Sequence, residues 1–328
     1  MSLAFLFPGQ GSQRPDMLHS LPSSPAVSEV LDESLVQIRQ LGMTEDIDTA
    51  TALENTTNVQ IALVIAGVAC ARALIADHGL NPQFVAGHSV GAFSAAVTAA
   101  VITLADALDA VALRGRLMEE ACADGDWGMA ALSGLPTRSA CQIADQVCTA
   151  DDPIWVANVN SATQTVFSGT STALQRAADA AGQAGASNCE RLDVSVASHC
   201  PKQQDTAREL AAHLAGLPRR EPTARYLTNT RGRATMSAET VFDDLAQAVA
   251  HPVQWYDATR LMGELGATCA IEAPPGHVLT RLMSPAAPTV AAISVEDAGL
   301  AAGARRAHRI LDEDGGTAVG FPTSRQSQ

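Results

Sequence analysis

The chain has 328 residues, 47% apolar and only 17% charged, which is enough for a sizeable core and too little charge for a disordered chain. Its 21 Lys and Arg against 35 Asp and Glu leave a net charge of −14; this excludes a general nucleic-acid binder, since phosphate neutralisation needs surplus cations. The length fits one large domain, alone or with a small insertion, and with aromatics at 4% the packing must rest on Ala, Val, Leu and Ile.

The apolar start carries no Lys or Arg before residues 3–7, so it fails as a signal peptide and predicts a buried first strand stopped by Pro8-Gly9. A weakly patterned helical region follows to about residue 50. Residues 55–76 predict a long helix rich in Ala, Ile and Val. Its most apolar part, 59–74, is interrupted by Gln60, Gly67 and Arg72 and is too short to span a bilayer, so no membrane segment is expected. Residues 83–87 predict a short strand that runs into His88-Ser89-Val90-Gly91 and then a helix of small residues to about 100. Thr103, with Asp106 three positions on, predicts a capped start for the next helix, to about Cys122.

After Asp124-Gly125-Asp126 the pattern changes. Strands are predicted at 129–132, 154–159, 163–168 and 189–196, with helices at 138–147 and 172–184. That order, βαββαβ, is the ferredoxin-like arrangement. Helix–strand alternation returns after Pro201, with a late strand at 270–272 before Pro274-Pro275-Gly276. The expected class is α/β, with a large domain of residues 1–126 and 197–312, an inserted domain of 127–196 and a flexible tail of 313–328. Cysteines 70, 122, 141, 148, 189, 200 and 269 are odd in number and form no CxxC pair, which reads as reduced thiols in a cytoplasmic protein.

The strongest chemical signal is Gly87-His88-Ser89-Val90-Gly91, a GxSxG between strand and helix. Glycines suit the strained turn that lifts a serine Oγ clear of a sheet, with helix N–H groups behind it. A structural turn is the competing account. A nucleophilic Ser89 needs a base, and His199 lies where a predicted strand opens into a loop broken by Pro201. His88 adjoins the serine and is expected to point elsewhere; His213 and His308 lie in polar helical stretches. Asp193 and Asp257 are both open as a third member, and an ordinary loop histidine remains the alternative for His199.

Arg114 falls on the same helical face as Ala107, Val111 and Met118, while Arg116 points the other way. A guanidinium on an apolar face calls for a carboxylate, either from a structural salt bridge or from a ligand. Pro8-Gly9-Gln10-Gly11-Ser12-Gln13 lacks both the dinucleotide fingerprint and the Gly-Lys-Ser/Thr of a phosphate loop. It reads as a turn, or as backbone approaching a ligand with Gln10 as donor. Cys200 beside His199 has no second ligand pair at zinc spacing, so no metal site is expected.

Together these segments resemble the malonyl-CoA:acyl carrier protein transacylase family across nearly the whole chain. The likeness runs through Phe7-Pro8-Gly9-Gln10-Gly11-Ser12-Gln13, Gly87-His88-Ser89-Val90-Gly91, Arg114-Gly115-Arg116-Leu117-Met118 and Val156-Ala157-Asn158-Val159-Asn160-Ser161. It continues through Ser198-His199-Cys200-Pro201, Pro252-Val253-Gln254-Trp255 and Pro275-Gly276-His277-Val278-Leu279-Thr280. The resemblance implies an α/β-hydrolase-like domain with a ferredoxin-like insertion. It implies Ser89 as nucleophile, His199 as base, the carbonyl of Gln254 as the group orienting the imidazole, and N–H groups of Gln10 and Val90 as an oxyanion hole. Arg114 would clamp a malonyl carboxylate, beside Met118 and Ser198.

It further implies malonyl-CoA as a thioester substrate, an acyl carrier protein as partner and no resident cofactor. Ala92 stands where fatty-acid-synthesis members carry Glu, and Arg14-Pro15-Asp16-Met17-Leu18 lacks the usual glycine. Ser198 replaces the Phe of malonyl-selective members and leaves room for a substituent. The wording is most similar to the acyltransferase subunit of bacterial malonate decarboxylase, which passes malonyl to a carrier with a CoA-like arm. A serine thioesterase and a non-catalytic docking subunit are the alternatives. Arg219-Arg220, Arg231/Arg233 and Arg305-Arg306 are the densest basic spots.

Overall fold

Five consecutive apolar residues, Leu3 to Phe7, become the buried spine of a parallel sheet. A computed structural model describes residues 2–316. β1 (Ser2–Phe7) is followed by α1 (Pro25–Gln40), α2 (Thr56–Ala76), β2 (Phe84–Gly87), α3 (Gly91–Thr98) and α4 (Leu104–Ala121). Next come β3 (Trp127–Ser133), α5 (Thr137–Val147), β4 (Ile154–Ser161), β5 (Gln164–Thr170), α6 (Ser171–Gln183) and β6 (Asn188–Arg191). The chain returns through α7 (Gln204–Ala215), β7 (Arg225–Leu227), β8 (Ala234–Thr235), α8 (Ala238–Gln247) and α9 (Trp255–Glu264). It closes with β9 (Ala267–Glu272), α10 (Val278–Ala286), β10 (Ala291–Ser294), α11 (Val295–Ala298) and α12 (Leu300–Gly316).

The six-stranded sheet has the order β10-β9-β1-β2-β7-β8, parallel except for the final β7–β8 pair. Leu3, Phe5 and Phe7 face the core built with α1–α4, whereas Ala4 and Leu6 face the one built with α9 and α10. Burial on both faces is why β1 reads as a continuous apolar run rather than an alternation. In register, Phe7 lies opposite Gly87, so the loops after β1 and β2 leave the sheet side by side. That adjacency builds the site.

The second sheet is antiparallel in the order β4-β5-β3-β6. One face packs Ala130, Leu132, Ile154 and Phe167 under α5 and α6. Its other face carries Met129, Ala157 and Val166, packed with Leu192 and Val194.

Three expectations need correction. The strand predicted over 189–196 ends at Arg191, where pairing with β3 stops. Val194 donates to Leu192 in a turn, so the alternation of Leu192 and Val194 records half-burial against the second sheet, not a ladder. Helix α2 has 21 residues, and an 18-residue stretch of it has a mean hydropathy of 2.1, long and apolar enough to cross a membrane; 83% of that stretch is buried within the fold, which explains its composition. Helix α12 continues through Gly316, past the expected start of a loose tail at Glu313, and residues 317–328 lie outside the described residues.

Candidate active site

Ser89 sits at φ +53°, a left-handed conformation unusual for a residue with a side chain. The turn forces close approaches. A Cβ on Gly91 would stand 2.2 Å from the Phe7 carbonyl oxygen, and one on Gly9 would stand 2.6 Å from that of His88. Glycine at both places lets the Pro8–Gln13 loop lie against the elbow.

His199 is delivered from the far side by the loop after β6. It also has positive φ, +59°, and is 2% exposed. Its N–H donates to Val249 O at 2.7 Å and its Nδ1 lies 2.6 Å from Ala248 O. A carbonyl can only accept, so Nδ1 carries the proton and the lone pair of Nε2 faces Ser89 Oγ at 2.8 Å. Burial, reinforced by the Arg114 charge, pushes the ring down to about 3 and keeps it neutral. The site therefore presents a hydroxyl hydrogen-bonded to a neutral imidazole of defined tautomer, which is the arrangement general-base activation needs.

The orienting carbonyl is Ala248, not Gln254. Gln254 is the N-cap of α9, and its carbonyl accepts Ala258 N at 3.1 Å as part of that helix. Ala248 follows α8, where helix carbonyls run out of intrahelical partners and one is available to a side chain. Asp193 and Asp257 are exposed and make no bond to His199.

Arg114 lies 2% exposed in α4, its Nη1 donating to Gln60 Oε1 at 2.6 Å and its Nη2 to Ser89 Oγ at 3.1 Å. Both acceptors are neutral. No carboxylate among the described residues pairs with this cation, so the structural salt bridge left open by the sequence is absent. Burial pushes the guanidinium down to about 10, and it stays charged at neutral pH. Gln60 Nε2 donates in turn to Met118 Sδ at 3.4 Å. Ser198 Oγ turns to Met129 Sδ at 3.1 Å, on the buried face of the second sheet that lies away from α5 and α6. The N–H groups of Gln10 and Val90 have no protein acceptor among the described residues.

Over residues 4–311 the sequence matches the acyl transferase domain family. The chain belongs to that family. The malonyl CoA-acyl carrier protein transacylase of Escherichia coli (strain K12) is 34% identical to it over 298 residues, covering 90% of this chain and 96% of that protein. The protein of the same name from Bacillus subtilis (strain 168) is 29% identical over 300 residues, covering 90% and 93%. The solved acyl-carrier-protein S-malonyltransferase of Burkholderia pseudomallei 1710b superposes with a TM-score of 0.86 at 31% identity, covering 94% of this chain and all of its own. A malonyl-transacylase solved in complex with a type II polyketide synthase acyl-carrier protein gives 0.85 at 32% identity, covering 93% of this chain.

In this acyltransferase His88 does turn away from the serine chemistry: its Nε2 bonds Asn160 Oδ1 at 3.1 Å and its ring packs on Trp255. Cys200 accepts from the Ser168 hydroxyl, and among the described residues no group of three or more His, Cys, Asp or Glu is placed to hold a metal. Three contributors escaped the sequence reading. Gln60 had a signal, being a polar residue inside an apolar run. Asn229, whose Oδ1 accepts Ser89 N–H at 2.9 Å, and the Ala248 carbonyl had none, because a loop asparagine and a backbone oxygen look alike everywhere in a sequence.

Proposed function

We propose that this chain is a malonyl-CoA:acyl carrier protein transacylase working through a malonyl ester on Ser89. The observation that carries the reading is Arg114: a buried guanidinium with only neutral partners, 3.1 Å from Ser89 Oγ. A three-carbon diacid esterified on that oxygen through one carboxyl keeps the other free, and that carboxylate gives the cation the counter-charge it lacks, through two parallel charge-assisted hydrogen bonds.

The steps follow from the distances. Ser89 Oγ attacks the thioester carbonyl while Nε2 of His199 takes its proton across 2.8 Å. The tetrahedral oxyanion is met by the N–H groups of Gln10 and Val90. The C–S bond breaks and CoA leaves with the proton that His199 returns to its sulfur. A carrier-protein thiol, its proton taken by His199, then attacks malonyl-Ser89; the Oγ–acyl bond breaks, His199 returns the proton to Ser89 Oγ, and the malonyl thioester of the carrier departs. The kinetics are ping-pong, and no resident cofactor takes part.

Within that activity, the wording of the motifs supports a role in priming malonate decarboxylase; charging of a carrier with a CoA-like arm, compared with a fatty-acid acyl carrier protein, tests it. The parallel sheet with its elbow after β2, and the antiparallel β4-β5-β3-β6 order, support an α/β-hydrolase-like domain of residues 1–126 and 197–312 with a ferredoxin-like insertion at 127–196. The primary experiment is incubation with malonyl-CoA followed by intact-mass analysis, with Ser89→Ala as the blank. A stable malonyl adduct on wild type and none on the variant is expected. Carrier acylation with no adduct at any time would rule out the covalent route, and CoA release without carrier acylation would point to a thioesterase.

A further inference from the structure

We infer that Asn229 and Asp244 are positioning residues that hold the Ser89 elbow in its reactive shape. The inference rests on Ser89 being the nucleophile. The Asn229 side chain spans the elbow: its Oδ1 accepts Ser89 N–H at 2.9 Å and its Nδ2 donates to Gly87 O at 2.9 Å. These two bonds bracket the residue whose φ is +53°. A left-handed non-glycine conformation persists only where its surroundings over-determine it. Asn229 supplies that constraint from the loop after β7, the strand beside β2 in the sheet.

The clip also sorts the elbow's donors. Ser89 N–H is occupied by Asn229, so Val90 N–H is the one left for an oxyanion. Without the clip, Ser89 N–H is freed, the turn relaxes, and Oγ moves relative to His199 Nε2, Gln10 and Val90.

Asn229 is itself held from below. Asp244, on α8 and 1% exposed, accepts Asn229 N–H and Tyr226 O–H on Oδ2, at 2.9 and 3.0 Å. Its Oδ1 accepts Thr230 N–H and Thr230 Oγ–H, at 2.9 and 2.7 Å. All four donors are neutral. Burial raises the carboxyl above its ordinary range, and these donors oppose the shift. A buried carboxylate without a cation is costly, and here four donors from one strand and its loop converge on it to set the loop's path. The same α8 leads into the Ala248 carbonyl that orients His199, so one short stretch serves both members of the dyad.

The test compares wild type with Asn229→Ala, the milder Asp244→Asn, and Ile143→Ala. Ile143 lies in the core under α5, remote from the elbow, and its truncation lowers stability alone. Single-turnover acylation of Ser89 by malonyl-CoA is followed by quench and intact mass, beside thermal unfolding and KM. Asn229→Ala and Asp244→Asn should each slow acylation by about tenfold to a hundredfold, the cost of an ångström-scale misplacement, with KM within about twofold because Arg114 is untouched. Ile143→Ala should lower Tm and acylate at the wild-type rate. Folded Asn229→Ala and Asp244→Asn proteins that acylate at the wild-type rate would overturn the inference. So would rate losses that merely track Tm across all three variants. A wild-type protein that takes no label at all would instead sink the malonyl-serine reading itself.

Discussion

Replacing Arg114 with methionine should separate binding from folding, because the two effects do not share a sign. In the free protein the guanidinium is 2% exposed with two neutral acceptors. Burial pushes it down from the ordinary arginine range to about 10, which disfavours the cation by about 3 kcal/mol at roughly 1.4 kcal/mol per tenfold. Methionine removes that burden and fills part of the volume. It also strands Gln60 Oε1, at a cost of about 1–3 kcal/mol. The two nearly offset, so the free protein should change in stability by less than about 2 kcal/mol. Catalysis has no such offset. A malonyl carboxylate entering a buried site without a cation loses about 3–5 kcal/mol, or roughly two to four orders of magnitude. Single-turnover acylation by malonyl-CoA and by acetyl-CoA, with urea unfolding of the same preparations, reads both quantities. The malonyl rate should collapse, the acetyl rate should change far less, and the preference should narrow or invert. Arg116→Ala is the control, since Arg116 is exposed and paired with Glu120 at 3.0 Å. Equal losses for both acyl donors at intact stability would refute the carboxylate clamp.

Three further outcomes are expected. His199 is held neutral down to about pH 3 in the fold against 6.5 ordinarily, so its contribution to stability is full above about pH 6.5 and is lost as pH falls towards 3. His199→Gln should flatten that part of the urea-unfolding profile by up to about 1.4 kcal/mol per pH unit; parallel profiles would mean the ring is not held neutral. Gly115→Ala would place a Cβ 2.6 Å from Thr57 Cα and prise α4 from α2. It should cost about 1–3 kcal/mol and, by moving Arg114, slow malonyl transfer; a variant with wild-type Tm and rate would contradict the close packing. Ala100, exposed at φ +60° beyond α3, occupies a conformation glycine adopts freely. Ala100→Gly should raise stability by about 0.5–1 kcal/mol in chemical denaturation, and a loss there would show the strain argument to be wrong.

Much of the site was legible because its chemistry is local. Strand, GxSxG and helix are contiguous, so the elbow at Ser89 could be read without knowing the fold. Arg114 announced itself through helical spacing, since one cation among Ala107, Val111 and Met118 breaks an apolar stripe. Thr103 and Asp106 form the expected capping box for the same reason: both partners lie within one turn. By contrast, residues 192–197 alternate like a strand, yet after Leu192 N–H reaches Met129 O the backbone turns back on itself and forms no ladder, because alternation reports half-burial and not pairing.

The order of residues along the chain is enough to name the reactive groups and the local backbone that displays them: the serine on its turn, the histidine before Pro201, the arginine on an apolar face. Tertiary structure alone decided what those groups face. His199 is oriented by Ala248 and not Gln254 because the latter's carbonyl is already used inside α9. Arg114 meets Gln60 from α2 and leaves its charge unmatched because, among the described residues, no acidic side chain bonds it at that crossing. Asn229 finds the elbow only because β7 lies beside β2 in the sheet, 140 residues away along the chain. A side chain's identity is written at one position, whereas its partner is set by which segments the hydrophobic packing of two sheets and their helices brings together.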